Sequence, residues 1–174
     1  MPVRQILLLG NPALYRKSKP VTENEMAGIE PVVADLHDTL MEFRRRYGAG
    51  RAIAAPQIGV MKRLIYMSIG ERSTAFINPV LDEMSDEMIE VWDDCMCFPN
   101  LLVKVHRHRS CRIRYRNQKW EEESLILCDD LSELLQHEYD HLDGILAVSK
   151  AIDARSFALK NQREPFDHPP QSAT

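Results

Sequence analysis

Two histidines four residues apart, with a glutamate beside the first, are the most distinctive chemical feature of the sequence. They form the segment His137-Glu138-Tyr139-Asp140-His141. On an α-helix, positions i and i+4 lie on one face with Cβ atoms about 5–6 Å apart, so both imidazoles could bind one metal ion. Glu138 is close enough to reach a water at that ion without being a ligand. The pattern therefore predicts a metal centre with an acid/base carboxylate.

The residues around this motif indicate a buried helix and not a pair of surface histidines. Leucines 134, 135 and 142 lie at helical spacing on either side of it. Asp129 and Asp130 precede the pattern as helix-capping residues, and Gly144 follows it as a stop. Two buried histidines without partners would cost free energy, so the metal site is the favoured interpretation.

A catalytic metal ion also needs a third protein ligand and one open position. Cys95 and Cys97 offer two thiols, and in an extended segment their side chains would point to opposite sides. The spacing alone does not distinguish which of them faces an ion, and both could be small buried residues. Cys111 and Cys128 have no ligand-like surroundings and are expected to be buried structural thiols.

The elements that would position these residues are a long helix, a set of strands and the HExxH helix. From about residue 25 to residue 47, apolar residues recur every three or four positions and predict an N-terminal helix. Between about residues 62 and 116 the chain is typical of short strands. The expected fold class is α+β, with short mixed or antiparallel strands packed around the central HExxH helix. A polar tail, expected to be frayed, begins at about residue 154.

Composition limits the remaining choices. The 174 residues suit a single domain over 1–174, and no apolar run approaches the roughly 20 residues needed to cross a bilayer. A cytoplasmic location is therefore the expectation, with no membrane partner. A net charge of −4 argues against direct sequence-specific nucleic-acid binding, despite a local basic stripe within residues 106–115.

Three motifs in a fixed order resemble the peptide deformylases, the family that removes the formyl group from new bacterial protein chains. The first is the loop ending Ala54-Ala55-Pro56-Gln57-Ile58-Gly59, the second is Asp93-Asp94-Cys95-Met96-Cys97, and the third runs from Gln136 to Gly144. The resemblance covers about residues 4 to 150. It implies a metal-dependent hydrolase that acts on N-formyl-methionyl nascent peptides, with the ribosome as a candidate partner.

The resemblance also implies a role for each site residue. It implies one divalent metal ion, with Fe(II) favoured and Zn, Ni or Co able to replace it. The metal ligands would be Cys95, His137 and His141, the general acid/base Glu138, and the oxyanion donors the Gln57 side chain and the Met96 backbone N–H. The substrate peptide would pair like an added strand with the loop Gly50, Arg51, Ala52 and Ile53. Asp93 and Arg107 are expected to form a salt bridge that braces the cysteine loop.

Several positions depart from the pattern of the family. Ala52 and Asp94 stand where glycines are usual, Cys97 replaces a serine, and Asp129-Asp130 replaces a more apolar pair. These departures spare the implied ligands and affect the expected walls of the peptide site.

Two alternatives stay open at the level of sequence. One is an HExxH metalloprotease or another N-acyl amidohydrolase, for which His168 is the only histidine after the motif. The other is a non-catalytic, metal-binding, ribosome-associated protein, against which the presence of Glu138 argues.

Overall fold

The computed structural model describes residues 3–167, with side chains described to residue 163. Within that range the helices are α1 (Met26–Tyr47), α2 (Asp129–Leu142) and α3 (Lys160–Asp167). The strands are β1 (Ala52–Ala54), β2 (Leu64–Ile69), β3 (Arg72–Asp82), β4 (Met88–Asp94), β5 (Leu101–His108), β6 (Ser110–Arg116), β7 (Glu122–Cys128) and β8 (Phe157–Leu159). The predicted α+β class and both predicted helices are confirmed.

The strands form two antiparallel sheets. The larger sheet has the order β1-β2-β3-β6-β7, and the smaller one has the order β4-β5-β8. β4 and β5 pair in register from Met88 opposite His108 to Asp94 opposite Leu102. The end of β4 therefore delivers the cysteine segment that begins at Cys95.

Helices α1 and α2 cover opposite faces of β1 and β2. Alternate residues of β2 face opposite sides of a sheet, so Leu64 and Tyr66 pack in the cluster of α1 while Ile65 and Met67 pack in that of α2. Leu135 and Leu142 of α2 are fully buried in the second cluster. Burial stabilises the fold by about 1.5–3 kcal/mol for each large apolar side chain. It therefore holds in place the helix that carries the two histidines.

The N-terminal arm crosses the end of α2. The Ser18 N–H donates to the Leu142 carbonyl over 2.8 Å, and Gly144, with φ of +72°, ends the helix. A Cβ atom on Gly144 would lie 2.5 Å from the Tyr15 carbonyl oxygen and 2.6 Å from its carbon. Only glycine fits both this left-handed backbone and this close approach.

Gly144→Ala is therefore expected to lower the free energy of unfolding by about 1–3 kcal/mol more than Gly48→Ala. Gly48 caps α1 at φ +66° and has nothing within 4 Å of a built Cβ, so it shares the backbone cost without the collision. Urea denaturation of both variants measures the difference. Equal losses would show that the arm moves aside at no cost.

Two regions differ from the expectations. β7 was not predicted as a strand, and Cys128 at its end is exposed, so the expectation of a buried structural thiol there was wrong. β7 is an edge strand and buries only Leu127, which leaves the side chain of Cys128 uncovered. Cys111 is buried as expected.

The chain beyond residue 154 is more regular than its polar composition indicated. Residues 157–159 form β8, which pairs with Leu101–Val103 of β5, so the expectation of fraying does not hold for them. Residues 168–174, including His168, lie outside the described residues. That 1–174 form a single domain stays a prediction. No helix within the described part of the chain is both long and apolar enough to cross a membrane.

Candidate metal centre and active site

Three side chains from two distant segments meet at one point. Cys95 follows β4, and His137 and His141 lie one turn apart on α2. The Cys95 sulfur lies 3.3 Å from Nε2 of His141, and the two histidine Nε2 atoms are 3.2 Å apart. All three side chains are buried, and their ligand atoms lie within 4.8 Å of one another.

This arrangement fits a four-coordinate metal ion. With metal–nitrogen bonds of about 2.05 Å and a metal–sulfur bond of about 2.3 Å, tetrahedral angles separate the ligand atoms by about 3.3–3.6 Å. The observed 3.2 and 3.3 Å are close to those spacings. Burial raises the pKa of the Cys95 thiol, and the adjacent Cys97 raises it further, so a thiolate here requires a cation. Burial lowers the pKa of His141, which keeps its imidazole neutral and able to bind a metal.

The cysteine segment is a turn and not an extended strand. The Phe98 N–H donates to the Cys95 carbonyl, which closes the turn at 3.0 Å. As a result, the side chains of Cys95 and Cys97 do not point to opposite sides, as an extended segment would require. Both sulfurs lie 3.6 Å from Nε2 of Gln57. Only the Cys95 sulfur belongs to the cluster with the two histidines within the described residues.

A buried ion-pair network lies against the face of α2 that carries His137 and His141. Asp93 lies 2.8 Å from Nδ1 of His137 and 2.6 Å from a guanidinium nitrogen of Arg107, so the expected Asp93–Arg107 salt bridge is present. Arg107 also reaches Asp140 at 2.5 Å, and Lys150 pairs with the same carboxylate. Carboxylates that bond the outer nitrogen of a metal-binding histidine fix its tautomer and its ring orientation.

Asp93 also controls the charge of His137. Burial would lower the pKa of His137, but the negative charge and hydrogen bond of Asp93 outweigh it and raise the pKa to about 9. Burial works against ionisation of Asp93 as well, yet the charges of His137 and Arg107 hold its pKa well below the usual range. Asp93 is therefore a carboxylate at neutral pH, and its bond to Nδ1 leaves Nε2 of His137 facing the cluster. A pKa of about 9 means that His137 is protonated there, so a cation bound at the cluster would have to displace the proton on Nε2.

Glu138 is a buried carboxyl group with a pKa near neutrality. Burial is the main cause that raises its pKa to about 7, and the charge of Asp93 adds to the effect, although His137 opposes it. Its Oε2 atom has no hydrogen-bond partner among the described residues. A general acid/base works best with a pKa near the working pH, and this group can both accept and release a proton there.

Gln57 is held as a hydrogen-bond donor that points at the thiols. It lies in a short 3-10 turn after β1 and is fully buried. Its Oε1 atom accepts from the Ala54 N–H at 2.7 Å, which leaves the NH₂ group facing Cys95 and Cys97. Met96 lies in the turn that carries Cys95 and lines the same cavity as Gln57 and Glu138.

The expected peptide-binding loop lies beside this cavity. Gly50, Arg51 and Ala52 of the loop line the cavity. The side chain of Ile53 points away from the cavity and packs in the cluster of α1. β1 is the first strand of the larger sheet and pairs with β2 on one side. Its other edge is the place where an extended peptide could add as a strand.

Sequence reasoning missed two charged residues of the site. Glu133 lines the cavity and bonds Arg51 at 2.7 Å. Lys160 pairs with Asp94, another lining residue, at 2.7 Å. The only signal for Glu133 in the sequence is its position four residues before His137, which places both side chains on one face of α2. No signal connects Lys160 to Asp94, because they are far apart in the chain.

Comparisons with known proteins agree on one family. Residues 3–156 match the family described as "Polypeptide deformylase". The chain is 34% identical over 160 residues to a peptide deformylase of Pseudothermotoga lettingae, covering 92% of this chain and 90% of that protein. It is also similar to the crystal structure of the peptide deformylase of Thermotoga maritima, with a TM-score of 0.80, 27% identity, and coverage of 88% and 100%.

A third likeness is to the Met-Ala-Ser-bound crystal structure of a class I type b peptide deformylase from Acinetobacter baumannii. The TM-score is 0.78 at 26% identity, covering 86% of this chain and 98% of that one. The fold, the order of the three motifs and these likenesses lead to one conclusion: the chain belongs to the polypeptide deformylase family.

Proposed function

We propose that Cys95, His137 and His141 hold one divalent metal ion, and that Glu138 moves the protons of an amide hydrolysis at this centre. As a peptide deformylase, the chain is a hydrolase that removes the formyl group from the N-terminus of nascent peptides. N-formyl-methionyl peptides are the proposed substrates, and formate and a free amino group are the products.

The observation that carries this proposal is the cluster itself. A thiol and two imidazoles converge at metal-binding distances, next to a fixed amide donor and the buried Glu138, whose Oε2 atom has no hydrogen-bond partner among the described residues. A structural metal site would be closed by four protein ligands, whereas three ligands beside a cavity match a catalytic site. Glu138 would have no function at an inert site.

Each residue has a distinct task in the hydrolysis. When bound, the metal ion acts as a Lewis acid and makes water a better nucleophile at neutral pH. Glu138 takes a proton from the attacking water onto its carboxylate and delivers it to the leaving amine nitrogen. The Gln57 NH₂ and the Met96 N–H donate hydrogen bonds to the oxygen of the formyl group as it becomes negative. Fixed donors of this kind contribute about 2.7–4 kcal/mol each.

The substrate peptide is proposed to lie along the loop Gly50, Arg51, Ala52 and Ile53. The open edge of β1 supports this placement. The crystal structure of the relative from Acinetobacter baumannii has Met-Ala-Ser bound, which supports a peptide as the ligand. The peptide would enter the cavity of about 530 Å³, whose lining includes Gly50, Arg51 and Ala52 of this loop together with Cys95 and His137. Its formyl carbon would then lie beside Glu138.

Fe(II) is the proposed ion, with Zn, Ni or Co as replacements. A thiolate with two imidazoles suits all four, and the ligand types alone do not select one of them. The ribosome and a cytoplasmic location belong to the same proposal, because nascent chains carry the formyl group where they are made. That the chain does not bind nucleic acid sequence-specifically stays a prediction.

Exchanging one cysteine at a time tests the ligand assignment. Cys95→Ala is expected to lose bound metal, with affinity lowered at least 100-fold, because a ligand is removed. Cys97→Ala is the matched control, since its sulfur is equally close to Gln57 but lies outside the cluster. Metal content after dialysis against a weak chelator measures both variants. If the Cys97 variant loses the metal and the Cys95 variant keeps it, the ligand assignment is reversed.

The metalloprotease alternative is disfavoured by the position of the third ligand. The cluster is completed by Cys95, upstream of the helix, whereas such proteases typically take a downstream histidine or carboxylate. His168 lies outside the described residues and cannot support that alternative.

Formate release separates the proposed functions directly. The chain, loaded anaerobically with Fe(II), is expected to release one formate per molecule of formyl-Met-Ala-Ser and to leave both internal peptide bonds intact. Removal of the metal should abolish this release, and Fe(II) or Zn should restore it. Cleavage of internal bonds would indicate the protease, and metal binding without turnover would indicate the non-catalytic alternative.

A further inference from the structure

The cavity contains an ion pair that the hydrolysis does not use. Its lining includes Glu133, Leu134, His137 and Glu138, so the cavity runs from the metal centre along the N-terminal turns of α2. A guanidinium nitrogen of Arg51 lies 2.7 Å from Oε1 of Glu133. This pair connects the loop before β1 to α2 across the wall of the cavity.

Glu133 lies on α2 in the same cavity lining as His137 and Glu138. It precedes His137 by one helical turn, and side chains at this spacing lie about 5–6 Å apart at Cβ. A substrate whose formyl group lies beside His137 and Glu138 would direct its first side chain along this stretch of α2. Glu133 is the inner partner, with a side chain 16% exposed, and Arg51 is the outer one at 42%.

The other charged groups of the cavity also have partners, some of which line the cavity as well. Asp93 is bonded to Arg107 and His137, and Asp94 pairs with Lys160. Arg44 donates to the carbonyls of Gly50 and Ser68. The Arg51–Glu133 pair differs because it joins the proposed peptide-binding loop to α2 and shares no residue with the network of Asp93, Arg107 and His137.

A methionine side chain packed against this pair would remove water from two charged groups without replacing the lost hydrogen bonds. Such uncompensated desolvation is costly. A side chain that both donates and accepts could bond Glu133 and Arg51 while the two remain paired. Glutamine has this chemistry at nearly the length of methionine.

We propose that the Arg51–Glu133 pair is a specificity determinant of the hydrolysis, and that it favours a polar, hydrogen-bonding first side chain over methionine. This inference rests on the proposed function and extends its substrate class beyond formyl-methionyl peptides. Formyl-methionyl peptides are still accepted, at lower efficiency than formyl peptides whose first side chain resembles glutamine.

The test compares formyl-Gln-Ala-Ser with formyl-Met-Ala-Ser in the metal-loaded chain and in Arg51→Leu/Glu133→Leu. We expect the wild-type chain to have the higher kcat/KM for the glutamine peptide. The double variant should shift the ratio of the two values toward methionine by about 10- to 100-fold. A general structural effect would lower both values alike and leave the ratio unchanged.

A second variant keeps the test valid if the leucine pair fails to fold. Arg51→Gln/Glu133→Gln removes both charges and retains polar groups, and it should shift the ratio in the same direction by a smaller factor. A ratio unchanged within twofold in the folded variant overturns the inference while formate release still supports the proposed function. No formate from either peptide in the loaded wild-type chain overturns the proposed function, and the inference with it.

Discussion

Glu138→Gln is expected to lower kcat for formate release by about 10²- to 10⁴-fold while metal content stays at one ion per chain. The carboxylate is the only group of the proposed mechanism that both accepts and returns a proton. The amide of glutamine has nearly the same shape and can do neither. Cys95, His137 and His141 keep their positions, so metal binding is not expected to change.

Glu138→Asp is the control for this substitution. It retains the charge and the acid/base chemistry but withdraws the carboxylate by one methylene, so an intermediate loss of kcat is expected. Metal analysis and steady-state formate release on the same samples make the measurement. If the glutamine variant retains both its metal and the wild-type kcat, another group carries the proton.

The pKa of Glu138 gives this prediction its physical basis. Burial raises the pKa to about 7, so a substantial fraction of the group is ionised at neutral pH and can accept a proton. An exposed glutamate, with a pKa near its ordinary value, would be a much weaker base. The same burial makes an ionised Glu138 costly in the absence of a nearby cation, which agrees with a metal ion at the adjacent cluster.

Local sequence pattern predicted the elements that carry the chemistry. α2 was predictable because its leucines, its acidic start and Gly144 all indicate the same helix, and the i, i+4 spacing of His137 and His141 then follows from helix geometry. α1 was predictable for the same reason, since its apolar stripe faces a single cluster. Pro31 lies in the second turn of α1, near the start of the helix.

Strands that form only through pairing with distant segments were harder to predict from the sequence. β7 contains three successive acidic or polar residues at its start, and it is a strand because it pairs with β6, where Arg116 lies opposite Glu122 and Tyr115 opposite Glu123. β8 likewise depends on β5. Neither segment has an alternating apolar pattern strong enough to indicate a strand by itself.

The conformation of the cysteine loop and the residues of the cavity wall were also hard to predict from the sequence. Whether Cys95 and Cys97 point apart depends on the backbone between them, and the turn closed by Phe98 is not visible in their spacing. Arg51 and Glu133 are 82 residues apart in the chain, and only the docking of α2 onto β1 brings them together. The two histidines of the cluster were therefore predictable from local pattern, whereas the choice between Cys95 and Cys97 and the walls of the cavity were not.

Arg107→Met is expected to lower the free energy of unfolding by about 3–5 kcal/mol, the largest effect on stability that the structure indicates. Arg107 is 1% exposed and bonds Asp93 and Asp140 at 2.6 and 2.5 Å. Methionine has a similar volume but no charge, so both carboxylates would lose a buried partner. For a chain of this size, the melting temperature should fall by about 6–20 °C.

Arg109→Met is the matched control, because it lies two residues further along the same stretch and also forms two ion pairs. Its partners Glu87 and Asp129 lie at 2.8 and 2.7 Å, but its side chain is 44% exposed. Pairs open to solvent contribute about 0–1 kcal/mol, so this variant should remain close to the wild type. Equal losses in the two variants would show that burial of Arg107 is not the cause.

A second substitution separates loss of the pair from loss of packing. If uncompensated charge is the cause, Asp93→Asn in the Arg107→Met background should recover part of the lost stability, because the asparagine no longer needs a cation. In the wild-type background the same substitution should be destabilising, because it leaves Arg107 with one partner fewer and His137 without its carboxylate. Denaturant unfolding of the four metal-loaded chains gives the coupling energy between Arg107 and Asp93, and a value near zero would mean that Arg107 stabilises the fold without a contribution from its pair with Asp93. A large coupling energy would instead show that the network holding His137 in place also stabilises the fold.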